Sequence, residues 1–401
     1  MKVILKSGIT LLISMLLTWT ASAQISTDEL SGKINTVTSA VPFLTIAPDS
    51  RSGGMGDVGV ALSPDANSMH WNPAKYAFAP NDMGISISYT PWLRKLIKDI
   101  NLAYLSGYKR IDNEQVIGFS LRYFALGDIA FTDIVGNPTG NYNPNEFTFD
   151  AAYARAFSDR FSGSLAFRFI YSNLTGGQFV GGVESTPGMA YSSDVSFYYR
   201  NSDLILGDYD GTIAFGANIS NIGSKMGYTK GSDKDFIPIN LRLGTAFTID
   251  FDDYNSLTLA LDLNKLMIPT PPEYYPLSDT ADLEGNPVIR AGYNPNVSVP
   301  VGMFRSFYDA PGGMIEELNE ITYSAGLEYW YAKQFAIRGG YFHEHSTKGN
   351  RKYFTVGIGL RLNVFGLDFA YLVPIYQNHP LANTLRFSLL FDFAGLKGER
   401  R

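Results

Sequence analysis

The chain has 401 residues, 45% hydrophobic, 14% aromatic and only 17% charged, with a formal net charge of -6. No basic patch stands out, which argues against nucleic acid as a partner, and the lack of cysteine leaves no disulfide framework and no lipid-anchored N-terminus. Past the N-terminal region no stretch approaches the ~20 apolar residues that a transmembrane helix needs.

The chain opens with Met1-Lys2, Lys6, the apolar run "GITLLISMLLTW" and Ala21-Ser22-Ala23. A basic start, a short apolar run and a small-x-small site are expected of a secretory signal over residues 1–23, cut after Ala23. Residues 24–82 lack any strand series and are expected to form a periplasmic or hatch segment. Within it, "GGMGDVG" at 53–59 carries the spacing Gly54-x-Gly56-x-x-Gly59. A dinucleotide loop of that spacing must open a helix, but Pro64 and the Asn72-Pro73 turn leave no room for one. The glycines are read instead as points of close backbone approach and positive φ.

From Met83 onward apolar residues recur with period two. Leu385, Phe387, Leu389, Phe391 and Phe393 alternate with Arg386, Ser388 and Asp392; Leu257, Leu259, Leu261 and Leu263 alternate with Thr258, Asp262 and Asn264. Such alternation marks a half-buried strand. Fourteen strands are expected, near 83–91, 101–110, 114–126, 146–157, 161–173, 190–201, 210–220, 237–250, 254–267, 321–331, 334–345, 351–363, 365–374 and 382–393. An even count returns both ends to the same side of a membrane, as a bacterial barrel requires. The connections alternate short and long, short turns falling after the even-numbered strands; "NSDLILGDYD" at 201–210 is the one longer case. The expected fold is therefore all-β, a 14-stranded antiparallel transmembrane β-barrel over 83–393, with a periplasmic tail at 394–401.

Inward parity falls on Arg122, Arg168, Arg242, Arg338 and Arg386 and on Asp150, Asp194, Asp262, Asp368 and Asp392. In a narrow barrel these charges can pair across the interior and hold a plug made from the N-terminal segment; the other reading is a water-filled pore lined by both signs.

The block "PFLTIAPDSRSGGMGDVGVALSPDANSMHWNPAKYA", Pro42 to Ala77, resembles the N-terminal hatch of FadL-type outer-membrane barrels, whose Asn-Pro-Ala motif matches Asn72-Pro73-Ala74. With "YTPWLRKL" after the first strand and the long loop at 268–320, it is most similar to the PorV (LptO) family of the type IX secretion system. The resemblance covers nearly the whole mature chain. It implies a 14-stranded barrel with a hatch that carries Gly54, Gly56, Gly59, Asn72, Pro73 and Ala74. It also implies a non-enzymatic role, in which secreted cargo is bound by its C-terminal signal domain at a SprA/Sov-type translocon and then passed to a PorU-type attachment complex. The alternative, from FadL relatives, is a transporter of long-chain hydrophobic molecules; the inward arginines and aspartates fit a greasy lumen poorly.

Two outer segments are candidate contact sites. "TPWLRKLIKDI", Thr90 to Ile100, spaces Trp92, Leu93, Leu96 and Ile97 as a turn of helix, either binding a partner or lipid surface or folding down over the mouth. The 268–320 loop carries Tyr274, Tyr275, Met303, Phe304, Phe307, Tyr308 and Met314, a composition suited to protein recognition. Trp92, Leu93, Phe304, Phe307 and Tyr308 are the expected partner contacts. His343-x-His345 would be a poor metal site without a third ligand. Glu316-Glu317 reads as the solvated face of a short helix rather than an acid pair. Four scattered histidines form no catalytic set, so neither enzyme, metal nor cofactor is expected.

Overall fold

In the computed structural model fourteen strands close into one antiparallel barrel. The described residues are 34–132, 135, 137–177, 179–180, 183–229, 233–275, 288–376 and 379–393. The expected signal segment 1–23, residues 24–33 and the tail 394–401 lie outside them.

The strands are β1 Met83–Pro91, β2 Ile100–Arg110, β3 Gln115–Leu126, β4 Asn145–Ala156, β5 Phe161–Asn173, β6 Gly188–Leu206 and β7 Tyr209–Gly223. They continue with β8 Asn240–Asp250, β9 Asn255–Leu266, β10 Thr322–Tyr331, β11 Phe335–His343, β12 Lys352–Leu362, β13 Phe365–Pro374 and β14 Leu385–Phe393. Each pairs with its sequence neighbour, and β1 closes the ring on β14 from Met83↔Phe393 to Tyr89↔Phe387. Closure leaves no strand edge for the bilayer to meet.

The alternation read from sequence sorts the two faces. On β9, Leu259, Leu261 and Leu263 are exposed on the outside, whereas Thr258, Ala260 and Asp262 are buried in the lumen. The outer face presents aromatic and aliphatic side chains to lipid, including Phe119, Tyr123, Phe149, Phe167, Phe215 and Ile358. Short turns occupy one rim and long loops the other, which sets the periplasmic and outer sides.

One expected connection differs. Residues 201–210 do not form a longer loop: β6 and β7 extend to a two-residue turn at Gly207-Asp208, with Gly207 at φ 69. The polar "NSD" that suggested a loop is absorbed as a register shift between Asn201 and Leu204, after which Leu204, Ile205 and Leu206 pair with Gly211, Asp210 and Tyr209. A second bulge sets Asp194 of β6 opposite Ser220 and Asn221 of β7, with Asn221 at φ 64. Bulges re-aim side chains, and this one brings the Asn221 amide against Arg168 and Asp194 inside the barrel.

Residues 40–79 run through the lumen in short helical turns, Pro42–Thr45, Ser50–Gly53, Ser68–Trp71 and Pro73–Phe78. Met55, Val58, Ala61, Leu62 and Ala74 form one cluster with Tyr198, Ala214, Ala246 and Ala260 of the wall. Ala66, Met69 and Tyr76 pack on Tyr108, Val116, Ala152, Ala154 and Ala166. The barrel interior is thus a packed core rather than a water-lined pore. In the long outer loop, α1 spans Val299–Arg305 and α2 spans Met314–Asn319.

Candidate functional site

The hatch fits because both it and the wall use glycine where backbones meet. Gly56 sits at φ 72, and a Cβ there would lie 2.6 Å from the Tyr341 nitrogen. On the wall, a Cβ at Gly340 would fall 2.0 Å from the Met55 carbonyl carbon. These separations admit hydrogen and nothing larger, so the "GGMGDVG" loop lies flat on β11. The Gly59 and Val60 amides both donate to Asp262 Oδ2, at 2.7 and 3.0 Å, which fixes that inward carboxylate on the hatch backbone. Asn72 Oδ1 caps the Pro73–Phe78 turn by accepting from the Ala74 amide at 3.1 Å. Its Nδ2 donates to Val60 O at 3.1 Å and to Phe197 O on the wall at 2.9 Å. Pro73 begins the turn, where a missing N–H costs nothing, and the buried Ala74 gives its carbonyl to Ser162 Oγ at 2.8 Å. The Asn-Pro-Ala motif is therefore a capped turn bolted to the wall.

Charge completes the attachment. Arg51 forks onto Glu328, Nε to Oε2 at 3.0 Å and Nη2 to Oε1 at 2.7 Å, and reaches Asp65 at 2.9 Å. Glu328 also accepts from Arg338 Nε at 2.7 Å; Arg338 continues to Asp368 at 2.7 Å, and Asp368 to Arg361 at 2.7 Å. The chain of charges joins the hatch to β10, β11, β12 and β13. Separately, Arg386 of β14 meets Asp57 at 2.5 Å, and Arg168 of β5 lies between Asp150 at 2.6 Å and Asp194 at 3.1 Å. Of the inward charges read from the sequence, Arg168 pairs with Asp150 and Asp194 and Arg338 with Asp368, Arg386 pairs with the hatch instead, and Arg122, Arg242, Asp262 and Asp392 are in no ion pair among the described residues. Four hatch partners, Asp49, Arg51, Asp57 and His70, were missed because nothing in an irregular segment marks which way a side chain points. Glu328 was missed as well, although its parity with Ser324 and Gly326 inside β10 could have found it.

At the outer mouth the candidate contacts separate into two kinds. Trp92 and Leu93 are half-buried and pack against two core clusters, one around Phe43 and Ile239 and one around Phe342, Tyr353 and Leu381. The 90–100 segment is a single turn rather than a helix, with Leu93 at φ 49 and Leu96 and Ile97 amides donating to Leu93 O. Too few residues separate β1 from β2 for helix to propagate. Leu96 and Ile97 point outward and are exposed.

Phe304 on α1 is 73% exposed, with Phe307 and Tyr308 just beyond it at 40% and 58%. Met314, Ile315 and Leu318 on α2 are also exposed, so two short helices present apolar side chains away from the barrel. The same loop is pinned from below by ions. Lys265 of β9 bonds Glu317 at 2.9 Å and Glu320 at 2.6 Å; Lys348 bonds Glu316 at 2.5 Å and Glu320 at 3.0 Å. Glu316-Glu317 is thus not a solvated helix face: Glu317 is buried and both carboxylates are paired, because the helix turns that side toward the barrel. His343 ends β11 while His345 lies in the following loop against Thr347, and no group of three metal-ligating side chains occurs among the described residues.

A closed 14-stranded barrel with a lipid-facing apolar surface, a lumen filled by its own N-terminal segment and large outer loops defines an outer-membrane barrel protein of Gram-negative bacteria. The family described as "Type IX secretion system protein PorV" matches residues 29–273, more than half of the chain. The chain belongs to that family, and is a non-enzymatic outer-membrane component of the type IX secretion system. No curated protein matches it. Among solved structures it is similar to the Ralstonia pickettii toluene transporter TbuX at 11% identity and TM-score 0.43, covering 87% of this chain and 98% of that one. The Pseudomonas putida toluene transporter TodX gives 10% identity and TM-score 0.42, covering 84% and 95%. A Pseudomonas aeruginosa FadL homologue gives 10% and 0.42, covering 90% and 99%.

Proposed function

We propose that this protein receives secreted cargo by its C-terminal signal domain at a SprA/Sov-type translocon and hands it to a PorU-type surface attachment complex. The observation that carries this reading is the exposed apolar surface on α1 and α2, formed by Phe304, Phe307, Tyr308, Met314, Ile315 and Leu318. Exposed large apolar side chains concentrated in one loop outside the membrane-facing wall mark a contact site. The ion pairs from Lys265 and Lys348 hold its base, so the aromatic anchors are displayed on a fixed platform and little ordering entropy is lost on binding. Trp92 and Leu93 pack on the same core cluster as Val299 and Met303 of α1, and Leu96 and Ile97 are exposed on the first loop. Uptake of hydrophobic molecules through a moving hatch would require the Arg51–Glu328 and Asp262 attachments to break together, which disfavours the transporter reading.

Combined Phe304→Ala, Phe307→Ala and Tyr308→Ala substitution tests this. Aromatic anchors in interfaces lose ~2 kcal/mol or more on truncation, so cargo display at the cell surface should drop while the barrel still assembles. Growth on long-chain fatty acids should be unchanged. Normal display with impaired uptake would overturn the reading in favour of transport.

A further inference from the structure

Above the hatch, under the outer loops, lies a cavity of about 430 Å³, within the range of pockets that hold small ligands. Its lining mixes apolar residues, Trp92, Leu266, Phe342 and Leu381 among them, with three mutually paired sets of charges, Arg386–Asp57, Arg351–Glu344 and Lys348–Glu320, and with Arg242 and Asn264. Arg242 of β8 and Asn264 of β9 are directly opposite each other across the strand pair, both facing inward.

Arg242 lacks a counter-ion. It is 4% exposed and makes no ion pair among the described residues; Nη1 donates to His70 O at 2.6 Å. Its Nη2 lies 3.3 Å from His70 Nε2. The other imidazole nitrogen, Nδ1, is 2.6 Å from Arg122 Nη2, and a guanidinium only donates, so Nδ1 must accept. The ring proton then sits on Nε2 and faces Arg242 Nη2, donor against donor. Arg122 also has no carboxylate partner among the described residues, its other bonds being to the Phe43 and Leu44 carbonyls. Two buried cations therefore flank one neutral ring. Two more cavity groups are unsatisfied: Asn264 Oδ1 is a buried acceptor without a donor, and Arg386 Nε a buried donor without an acceptor. Buried polar atoms without partners are rare in folded proteins, and a shared cavity makes a ligand the economical explanation.

We propose that this cavity binds the free C-terminus of an extended apolar peptide, its carboxylate on Arg242 and a backbone N–H donating to Asn264 Oδ1. The carboxylate supplies the missing charge, and a guanidinium can grip it in a forked geometry. The orphan acceptor on Asn264 distinguishes a peptide from a fatty acid: a peptide end brings N–H donors beside its carboxylate, whereas a fatty acid brings none. Trp92, Leu266, Phe342 and Leu381 supply the apolar part of the lining for the side chains. The proposal rests on the cargo reading only for the source of the peptide, a chain end arriving from outside.

The full-length protein in detergent is titrated with a fluorescein-labelled apolar pentapeptide in two forms, free acid and C-terminal amide, with laurate as a competitor. The acid should bind, the amide should bind roughly tenfold or more weakly, and equimolar laurate should not displace the acid. Asn264→Asp places a carboxylate beside Arg242 without removing any hatch contact; it should weaken the acid form at least about tenfold, as should Arg242→Gln. Heat-modifiable gel mobility verifies that both variants are folded; Asn264→Asp decides the matter where Arg242→Gln disturbs the hatch. Equal binding of acid and amide, no binding of either, or displacement by laurate would overturn the proposal. If wild-type protein ignores the peptide while the triple loop variant still loses cargo display, this inference falls and the cargo reading stands. If the peptide binds and the triple variant displays cargo normally, the reverse holds.

Discussion

The hatch and the great outer loop are both irregular segments of similar length, yet they treat their side chains in opposite ways. From Asp49 to Ala77 the hatch buries nearly every residue, charged ones included, and ties Arg51 and Asp57 to charges of the wall. The outer loop buries three carboxylates, Glu317, Glu320 and Asp309, and exposes Phe304 and Phe307. Irregular backbone inside a barrel survives only where its polar groups are met by protein; the hatch obeys that constraint and is consequently fixed. The loop lies in water, where exposing Phe304 costs free energy unless something covers it. The contrast separates a segment that closes the barrel from the one to which we assign partner contact.

Breaking the hatch side of this contrast should have the largest effect. Glu328→Gln leaves Arg51 and Arg338 buried with one carboxylate each, Asp65 and Asp368. Removing one member of a buried ion network costs ~3–5 kcal/mol. The variant should lose folded, heat-modifiable protein from the outer membrane, and an unaltered unfolding temperature would mean that the network does not hold the hatch.

A charge on the lipid face tests the wall itself. Leu261→Arg sets a cation on the exposed outer face of β9, at a cost of ~2–4 kcal/mol near the bilayer midplane. Leu261→Phe should assemble normally. The inward neighbour Thr258 is packed in the lumen and bonded to Thr248 at 2.8 Å, so Thr258→Arg should also impair assembly. A water-filled lumen would tolerate it, which makes that variant the sharper check on the plug.

Gly340→Ala probes the same plug by shape alone. Its methyl would meet Met55 and Gly56 backbone, which cannot rotate away, and overpacking of this kind costs ~1–3 kcal/mol. The unfolding temperature should fall with no change in charge, and an unchanged value would show that the hatch yields at this point.

The strands were legible because period two is a local property: the bounds of β1, β5 and β13 coincide with those read from the alternation, and most others fall within two residues. The plug was legible only in outline. Inward parity on Arg338, Asp368 and Asp262 showed that something must answer those charges, but Arg51 and Glu328 are separated by 277 positions, and nothing local to either names the other. The glycines at 53–59 were readable as close approach, while the surface they approach, Gly340 and Tyr341, is set by the closure of the whole ring. Asn264 and Arg242 showed their inward parity; that neither has its full complement of partners is a property of the folded lumen alone.

The smallest expected effect lies at the base of the outer loop, where its mode of attachment can be separated from its contact surface. Asp309 is buried with one oxygen on the Thr270 amide at 3.3 Å and the other unpartnered. Burial pushes its carboxyl up from the usual 3.8 to about 6, opposed by the bond from Thr270 and reinforced by the neighbouring Glu317 and Glu320. A carboxyl whose pKa is higher in the folded loop than in the open one binds its proton more tightly when the loop is closed. Closure is then favoured at low pH and weakens as pH rises from about 4 through about 6, levelling off above that. Limited proteolysis of the 268–320 loop should accordingly be several-fold faster at pH 7.5 than at pH 5, with the barrel resistant at both. Asp309→Asn, which keeps the shape and removes the titration, should cut at one rate across that range. A pH dependence that survives in Asp309→Asn would assign it to the Lys265 and Lys348 ion pairs, and the platform beneath the exposed aromatics would then be held by charge alone.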